Sequence, residues 1–235
     1  MASMSKIMSQ LKAKGSAQTR KIYTNHGAPT EMYGVKVADL KVIAKSIKGE
    51  QELAYDLYDT GNVDAMYLAG LVADGKVMTK QRLDKWARNS AWYMISEYAV
   101  PFVSTQHDDA RGLAMKWMKS KKECVASAGW ATYAGLLATS PDKNLNFAEI
   151  KDLLAQIESK VESAQNRVRY TMNGFVIAVG AYVKPLLKQA KSTAEAIGKV
   201  EVDMGGTACK VPLATQYIAK IVDAGRVGKK RKSIK

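Results

Sequence analysis

Between Val37 and Lys48 the chain reads VADLKVIAKSIK, and Val37, Leu40, Ile43, Ala44 and Ile47 fall on one face of a 3.6-residue repeat. Apolar residues three and four apart recur in most other windows as well. Little interrupts them. The chain has five prolines, Pro29, Pro101, Pro141, Pro185 and Pro212, and is rich in Ala and Lys, which with its Leu, Met and Gln favour helix. The spacing predicts helices at about 4–14, 16–25, 37–48, 50–59, 62–73, 79–88, 91–104, 107–120, 123–138, 146–160, 166–180, 184–197 and 212–224. Asn62, after Asp-Thr-Gly, is the expected N-cap of its helix. One stretch departs from the pattern. KVEVDMGGTACKV at 199–211 alternates Val200 and Val202 with charge and then turns at a glycine pair, so a short hairpin or an extended loop is expected there. No Lys-Ser/Thr follows the glycines, which makes them a turn rather than a phosphate loop.

A run of short antiparallel helices invites a search for repeats. LAYDLYDTGNVDAMYLAGLVA (53–73) lies over LAMKWMKSKKECVASAGWATY (113–133) without a gap. Both begin Leu-Ala, place an apolar pair at the fifth and sixth positions, break, and resume with a helix rich in small residues. VRYTMNGFVIAVG at 168–180 is a looser echo. Ala and Gly in each second helix allow close stacking, as in an α-solenoid, a curved superhelix of antiparallel helix pairs. A helical bundle without repeats is the alternative.

Charge narrows the choice of partner. Lys plus Arg is 36 against 22 for Asp plus Glu, a net +14, and the last ten residues, RVGKKRKSIK, hold six of the bases. Without them the body still carries +8, so a polyanion is the expected partner, nucleic acid first. A single helical domain over 1–225 and a basic, disordered tail over 226–235 are expected. Cys124, Cys209, His26 and His107 lie too far apart in sequence for a zinc motif or a disulfide framework, so neither metal nor cofactor is expected. The N-terminal stretch lacks a signal-peptide core and no apolar run is long enough to span a bilayer. An intracellular protein is expected, cytoplasmic and nucleoid-associated in a bacterium or nuclear in a eukaryote.

Five segments together resemble the DNA alkylation repair family of HEAT-like proteins, the AlkD-type glycosylases. They are YGVKVADLKVIAKSIK (33–48), LYDTGNVDAMYLAGLVAD (57–74), SAWYMISEYAVPFV (90–103), WMKSKKECVASAGWATYAGLL (117–137) and the NGF segment at 173–175. No one of them is specific; their order and spacing are. The resemblance implies an all-α, HEAT-like solenoid, monomeric, whose basic concave face holds duplex DNA. It also implies hydrolysis of the N-glycosidic bond of cationic alkylpurines such as 3-methyladenine and 7-methylguanine. Such a base already carries positive charge and leaves with little acid assistance. The protein has to stabilise an oxocarbenium-like sugar and position water, a task for a carboxylate, while aromatic faces favour the cation.

Anchored on Pro101, the family pattern puts its carboxylate on Glu97 and an aromatic on Tyr93, and its second aromatic falls on Phe175. A helical wheel places Trp92, Ile95, Ala99, Phe102 and Val103 on a core face, with Tyr93 and Glu97 roughly opposite. There are three departures. The acid is Glu rather than Asp, Phe175 stands in place of tryptophan, and a family arginine falls on Ser127. A solenoid that binds nucleic acid without base excision, or a protein-interaction scaffold, is therefore the alternative. The phosphate-contact set expected is Arg167, Arg169, Lys119, Lys121 and Lys122, joined by Lys229, Lys230, Arg231 and Lys232 of the tail.

Overall fold

A computed structural model describes residues 3–235. Among them every regular element is helical, and none of the helices is long and apolar enough to cross a membrane. The stretch at 199–211 is an extended loop, with no strand pairing.

Packing divides the chain into two compact units. The first runs to Asp109 and takes in Met204–Ala208; the second comprises Ala110–Asp203 and Cys209–Lys235. The first contains α1 (Met4–Lys14), α2 (Ala17–Asn25), α3 (Val37–Ser46), α4 (Gln51–Asp59), α5 (Val63–Val72), α6 (Lys80–Asn89) and α7 (Val100–Ser104), the last preceded by a π-turn at Ile95–Ala99. The second contains α8 (Ala110–Met118), α9 (Glu123–Thr139), α10 (Phe147–Lys160), α11 (Asn166–Tyr182), α12 (Leu187–Ile197) and α13 (Ala214–Asp223).

The internal repeat is present as two helix pairs. Helices α4 and α5 pack together across a three-residue link, and α8 and α9 across a four-residue one. The N-caps of the second helices, Asn62 and Lys122, are the residues the 60-residue offset superposes. Asn62 accepts from the amides of Asp64 and Ala65, satisfying two of the donors that a helix start leaves open. Glycine allows the close approach in each pair's surroundings. A Cβ on Gly129 of α9 would lie 2.6 Å from the Met118 amide of α8, and one on Gly70 of α5 would lie 2.7 Å from Ala99 Cα.

Asp64, in the first turn of α5, organises the first unit. It is 1% exposed, and its carboxylate accepts from the amides of Tyr33 at 2.6 Å, Gly34 at 3.0 Å and Val35 at 2.9 Å. Burial pushes its carboxyl above the ordinary value, while the three amides and the Arg20 charge pull the other way. The loop it grips is tied on by further bonds: the Ser16 amide donates to Gly34 O, the Tyr23 hydroxyl to Val35 O and the Val63 amide to Glu31 O.

The second unit closes around Trp130, Tyr133, Phe175 and the aliphatic faces of α10, α11 and α12. Across α8, α9 and α10, Arg111 donates to both oxygens of Glu149 at 2.8 and 2.5 Å, and the Tyr133 hydroxyl donates to the same carboxylate at 2.5 Å. Burial would raise the Glu149 pKa, but the bonds from Arg111 and Tyr133 outweigh it and hold the group below its ordinary 4.5.

The basic tail is ordered, contrary to the expectation from its composition. The Gly228 amide donates to Ala181 O and the Arg231 amide to Ala138 O. Lys230 Nζ donates to Leu137 O at 2.9 Å and pairs with Asp142 at 2.8 Å. These acceptors lie in the last turns of α9 and α11, where carbonyls lack helical partners and positive charge is favoured. One tail base, Lys230, thus serves the C-terminus of α9, while the contact with α11 is made by backbone alone.

Candidate nucleic-acid interface

In the first unit, the segment that carries Glu97 is shaped by Pro101. Proline has no N–H to give the carbonyl four residues back, which is that of Glu97. The ladder widens instead: the Val100 amide donates to Ile95 O, five residues back, and a π-turn runs from Ile95 to Ala99. Gly70 of α5 seats against Ala99 and fixes this turn from behind. The widened turn changes which residues face outward. Glu97 is 8% exposed and Tyr98 is 39% exposed, so the carboxylate lies inside the protein rather than on the open face that a regular helix would give it.

Trp92 is core, as the helical wheel predicts. Its indole N–H donates to His26 O at 2.9 Å, and its ring packs against Tyr23 at 5.1 Å and Tyr93 at 5.2 Å. Tyr93 is half-buried and meets the His26 ring edge-on at 6.2 Å. His26 therefore belongs to this aromatic cluster, a role that no motif around it signals. The Met204–Ala208 segment joins the same corner, where the Gly206 amide donates to Asn25 O at 3.1 Å. A buried carboxylate one turn from an aromatic cluster has the parts to stabilise a cationic sugar and a cationic base.

Phe175 does not join it. It is 0% exposed, and its ring is enclosed edge-to-face by Trp130 at 5.3 Å and Tyr133 at 5.6 Å in the core of the second unit. It has no face to offer DNA, which corrects its assignment as a lesion-contacting aromatic. Ser127 is equally buried, with its hydroxyl donated to Cys124 O at 3.2 Å, and nothing at that position reaches outward as a guanidinium would.

The basic residues of the second unit separate into two groups. Gln165 Nε2 donates to Lys121 O at 3.0 Å, and the Arg167 amide donates to Glu123 Oε1 at 2.8 Å. These bonds join the α8–α9 turn to the start of α11. Exposed Lys119, Lys121 and Lys122 thus share one end of the unit with Arg167, whose guanidinium lies 4.4 Å over the Tyr170 ring. The N-termini of α9 and α11 lie there too and add partial positive charge, while the Glu123 carboxylate in the first turn of α9 takes the Arg167 amide, so one acid stands among the four cations. Arg169, in the first turn of α11, points elsewhere, with Nη2 3.4 Å from Asn166 Oδ1.

Lys229, Lys230, Arg231 and Lys232 sit at the opposite end of α9. That helix has 17 residues. At about 1.5 Å per residue it separates the two groups by roughly 25 Å. Lys230 is engaged by Leu137 and Asp142, which removes it from the phosphate-contact set as a free cation.

The chain matches the family described as DNA alkylation repair enzyme over residues 7–195. It is 34% identical over 226 residues to the protein Lin0241 of Listeria innocua, covering 94% of this chain and 97% of that protein. It is 33% identical over 226 residues to Lmo0209 of Listeria monocytogenes, with the same coverage. Among solved structures it is similar to one described as a new family of proteins related to the HEAT-like repeat DNA glycosylases with affinity for branched DNA structures. That likeness has a TM-score of 0.91 and 36% identity, over 98% of each chain.

Proposed function

The chain belongs to the DNA alkylation repair enzyme family, and from that premise we propose that it is a DNA-binding repair protein that holds branched DNA by its phosphates. The observation that carries this reading is the junction at one end of the second unit, where Lys119, Lys121, Lys122 and Arg167 meet the N-termini of α9 and α11. Phosphate contacts of this kind fix position without reading sequence, which suits a partner defined by shape. The similar solved structure, described as having affinity for branched DNA, supports the same choice. The test is fluorescence anisotropy on a four-way junction and on a duplex of equal phosphate count, over a salt series. Tighter junction binding is expected. Four neutralised phosphates give a slope of log K against log salt near −3.6, or roughly a hundredfold loss from 50 to 200 mM. Equal affinity for both DNAs counts against the branched-DNA reading, and no binding to either counts against DNA binding.

A second reading, base excision, is favoured by one observation, the burial of Glu97 beside the Tyr93 cluster. On this reading the C1′–N bond of a cationic alkylpurine breaks and its electron pair neutralises the leaving base. Water adds to the sugar, and its proton passes to the Glu97 carboxylate or to solvent. Two features weigh against it: Phe175 is enclosed in the core, and Ser127 has nothing to offer the backbone. Release of 7-methylguanine or 3-methyladenine from methylated duplex, lost in Glu97→Gln, is the outcome this reading requires. No release by the unaltered protein disposes of it.

A further inference from the structure

The first turn of α11 also walls a cavity of about 210 Å³ in the second unit. Its lining is aliphatic at Val161, Val200 and Ile197, the first two 3% and 6% exposed. Arg169 is set into this lining. Its Nε–H is out of solvent and meets no acceptor among the described residues, and the Nη2 contact to Asn166 is long, at 3.4 Å. A buried donor without an acceptor costs about 1–3 kcal/mol, and most are matched. Asn166 is held in place, because it both donates to and accepts from the Asp203 backbone, at 2.9 and 2.7 Å. The same two bonds fix the 199–203 stretch that forms the facing wall. Glu162 and the Lys199–Glu201 pair, 2.6 Å apart and largely exposed, complete the lining.

We propose that this cavity takes an unpaired guanine base from DNA bound at the adjoining basic end. The volume suits a purine ring and excludes a paired base. Aliphatic walls suit a flat apolar face, and an arginine fork matches the O6 and N7 acceptors of guanine. Glu162 and Glu201 can accept from its N1–H and 2-amino group. With Arg169 and Lys199 balancing Glu162 and Glu201 the lining carries no net charge, which suits a neutral base rather than an anion. Branched DNA supplies unpaired bases at its junctions. The inference rests on the DNA-binding reading and adds to it a base-specific contact.

The experiment compares two duplexes that differ at one bulged position, guanine in one and an abasic site in the other, by anisotropy at fixed salt. The full chain should bind the guanine form about tenfold more tightly. Arg169→Lys keeps the charge and loses the fork, and Ile197→Trp fills the cavity without touching charge. Each should bring the ratio close to one and leave the abasic affinity within about twofold. A ratio of one in the unaltered protein, or one that survives Arg169→Lys, overturns the proposal. So does inorganic phosphate that abolishes the guanine preference at constant ionic strength. If neither duplex binds, the DNA-binding reading fails by itself. Guanosine then decides the cavity: amide NMR shifts at Arg169 and Val200 that vanish in Arg169→Lys sustain it, and their absence in the unaltered protein overturns it.

Discussion

Replacing Asp64 by alanine should destabilise the first unit far more than loss of one aspartate ordinarily does. The side chain accepts three backbone N–H groups, from Tyr33, Gly34 and Val35, and is itself 1% exposed. Gly34 and Val35 are buried, so two of those donors have no route to water in the variant, whereas half-buried Tyr33 can regain a solvent partner. Two stranded donors at about 1–3 kcal/mol each give a loss of about 2–6 kcal/mol. Against this stands the cost of burying the carboxylate, which its raised pKa reports and which the variant relieves. A net loss of about 3 kcal/mol follows, a large share of the 5–15 kcal/mol of a typical domain. Urea unfolding measures it as a lower midpoint at unchanged slope, and hydrogen exchange localises it to the amides of 33–35. Asp64→Asn keeps one carbonyl oxygen, which can still accept from Tyr33 and Gly34, and sets its amino group against the Val35 N–H, so it should lose less than Asp64→Ala. A loss below about 1 kcal/mol for Asp64→Ala would refute the claim that these amides depend on the carboxylate.

Other outcomes follow from the same geometry. Because the folded pKa of Glu149 is depressed, its contribution is present above 4.5 and is lost as pH falls through the lower folded value; urea midpoints across acid pH should show that limb flattened in Glu149→Gln. Truncation after Gly228 removes the Lys230 and Arg231 bonds to the end of α9 and should lower stability by about 1–2 kcal/mol, read as an earlier thermal transition. Lys121→Ala with Lys122→Ala should make the salt slope of DNA binding shallower by about 1.8 while leaving the melting temperature unchanged. Gly70→Ala forces a Cβ within 2.7 Å of Ala99 Cα, and should cost about 1–3 kcal/mol in urea unfolding.

Most helices were legible in the sequence because local rules set them. The 3.6-residue spacing, caps such as Asn62 and the scarcity of proline act within a turn or two, and the observed bounds fall close to the expected ones. The 60-residue repeat was legible for a related reason: α5 and α9 need small residues where a neighbouring backbone comes close, and that need is written in composition. The tail was misread because six bases without a hydrophobic partner look like a solvated segment. Its partners, the terminal carbonyls of α9 and α11, are backbone groups that leave no trace in sequence. Asp64 was hidden likewise, since an acid in the first turn of a helix needs no tertiary role to explain it.

The misplacement of Glu97 has a different origin, and it bears on function. A helical wheel assumes 100° per residue throughout, and under that assumption Tyr93 and Glu97 share an open face. Pro101 breaks the assumption at the residue that matters, because the N–H it lacks is the one that would bond Glu97 O. The resulting π-turn turns Tyr98 outward and Glu97 inward. The proline that served as the anchor for recognising the motif is thus also the physical cause of the widened turn on which the carboxylate sits. Phe175 and Ser127, the other two positions of the family pattern, are each buried in the core of the second unit. Burial of Glu97 by itself assigns it no catalytic role, whereas the basic end gathers four cations and two helix starts, which is why the functional reading is placed there.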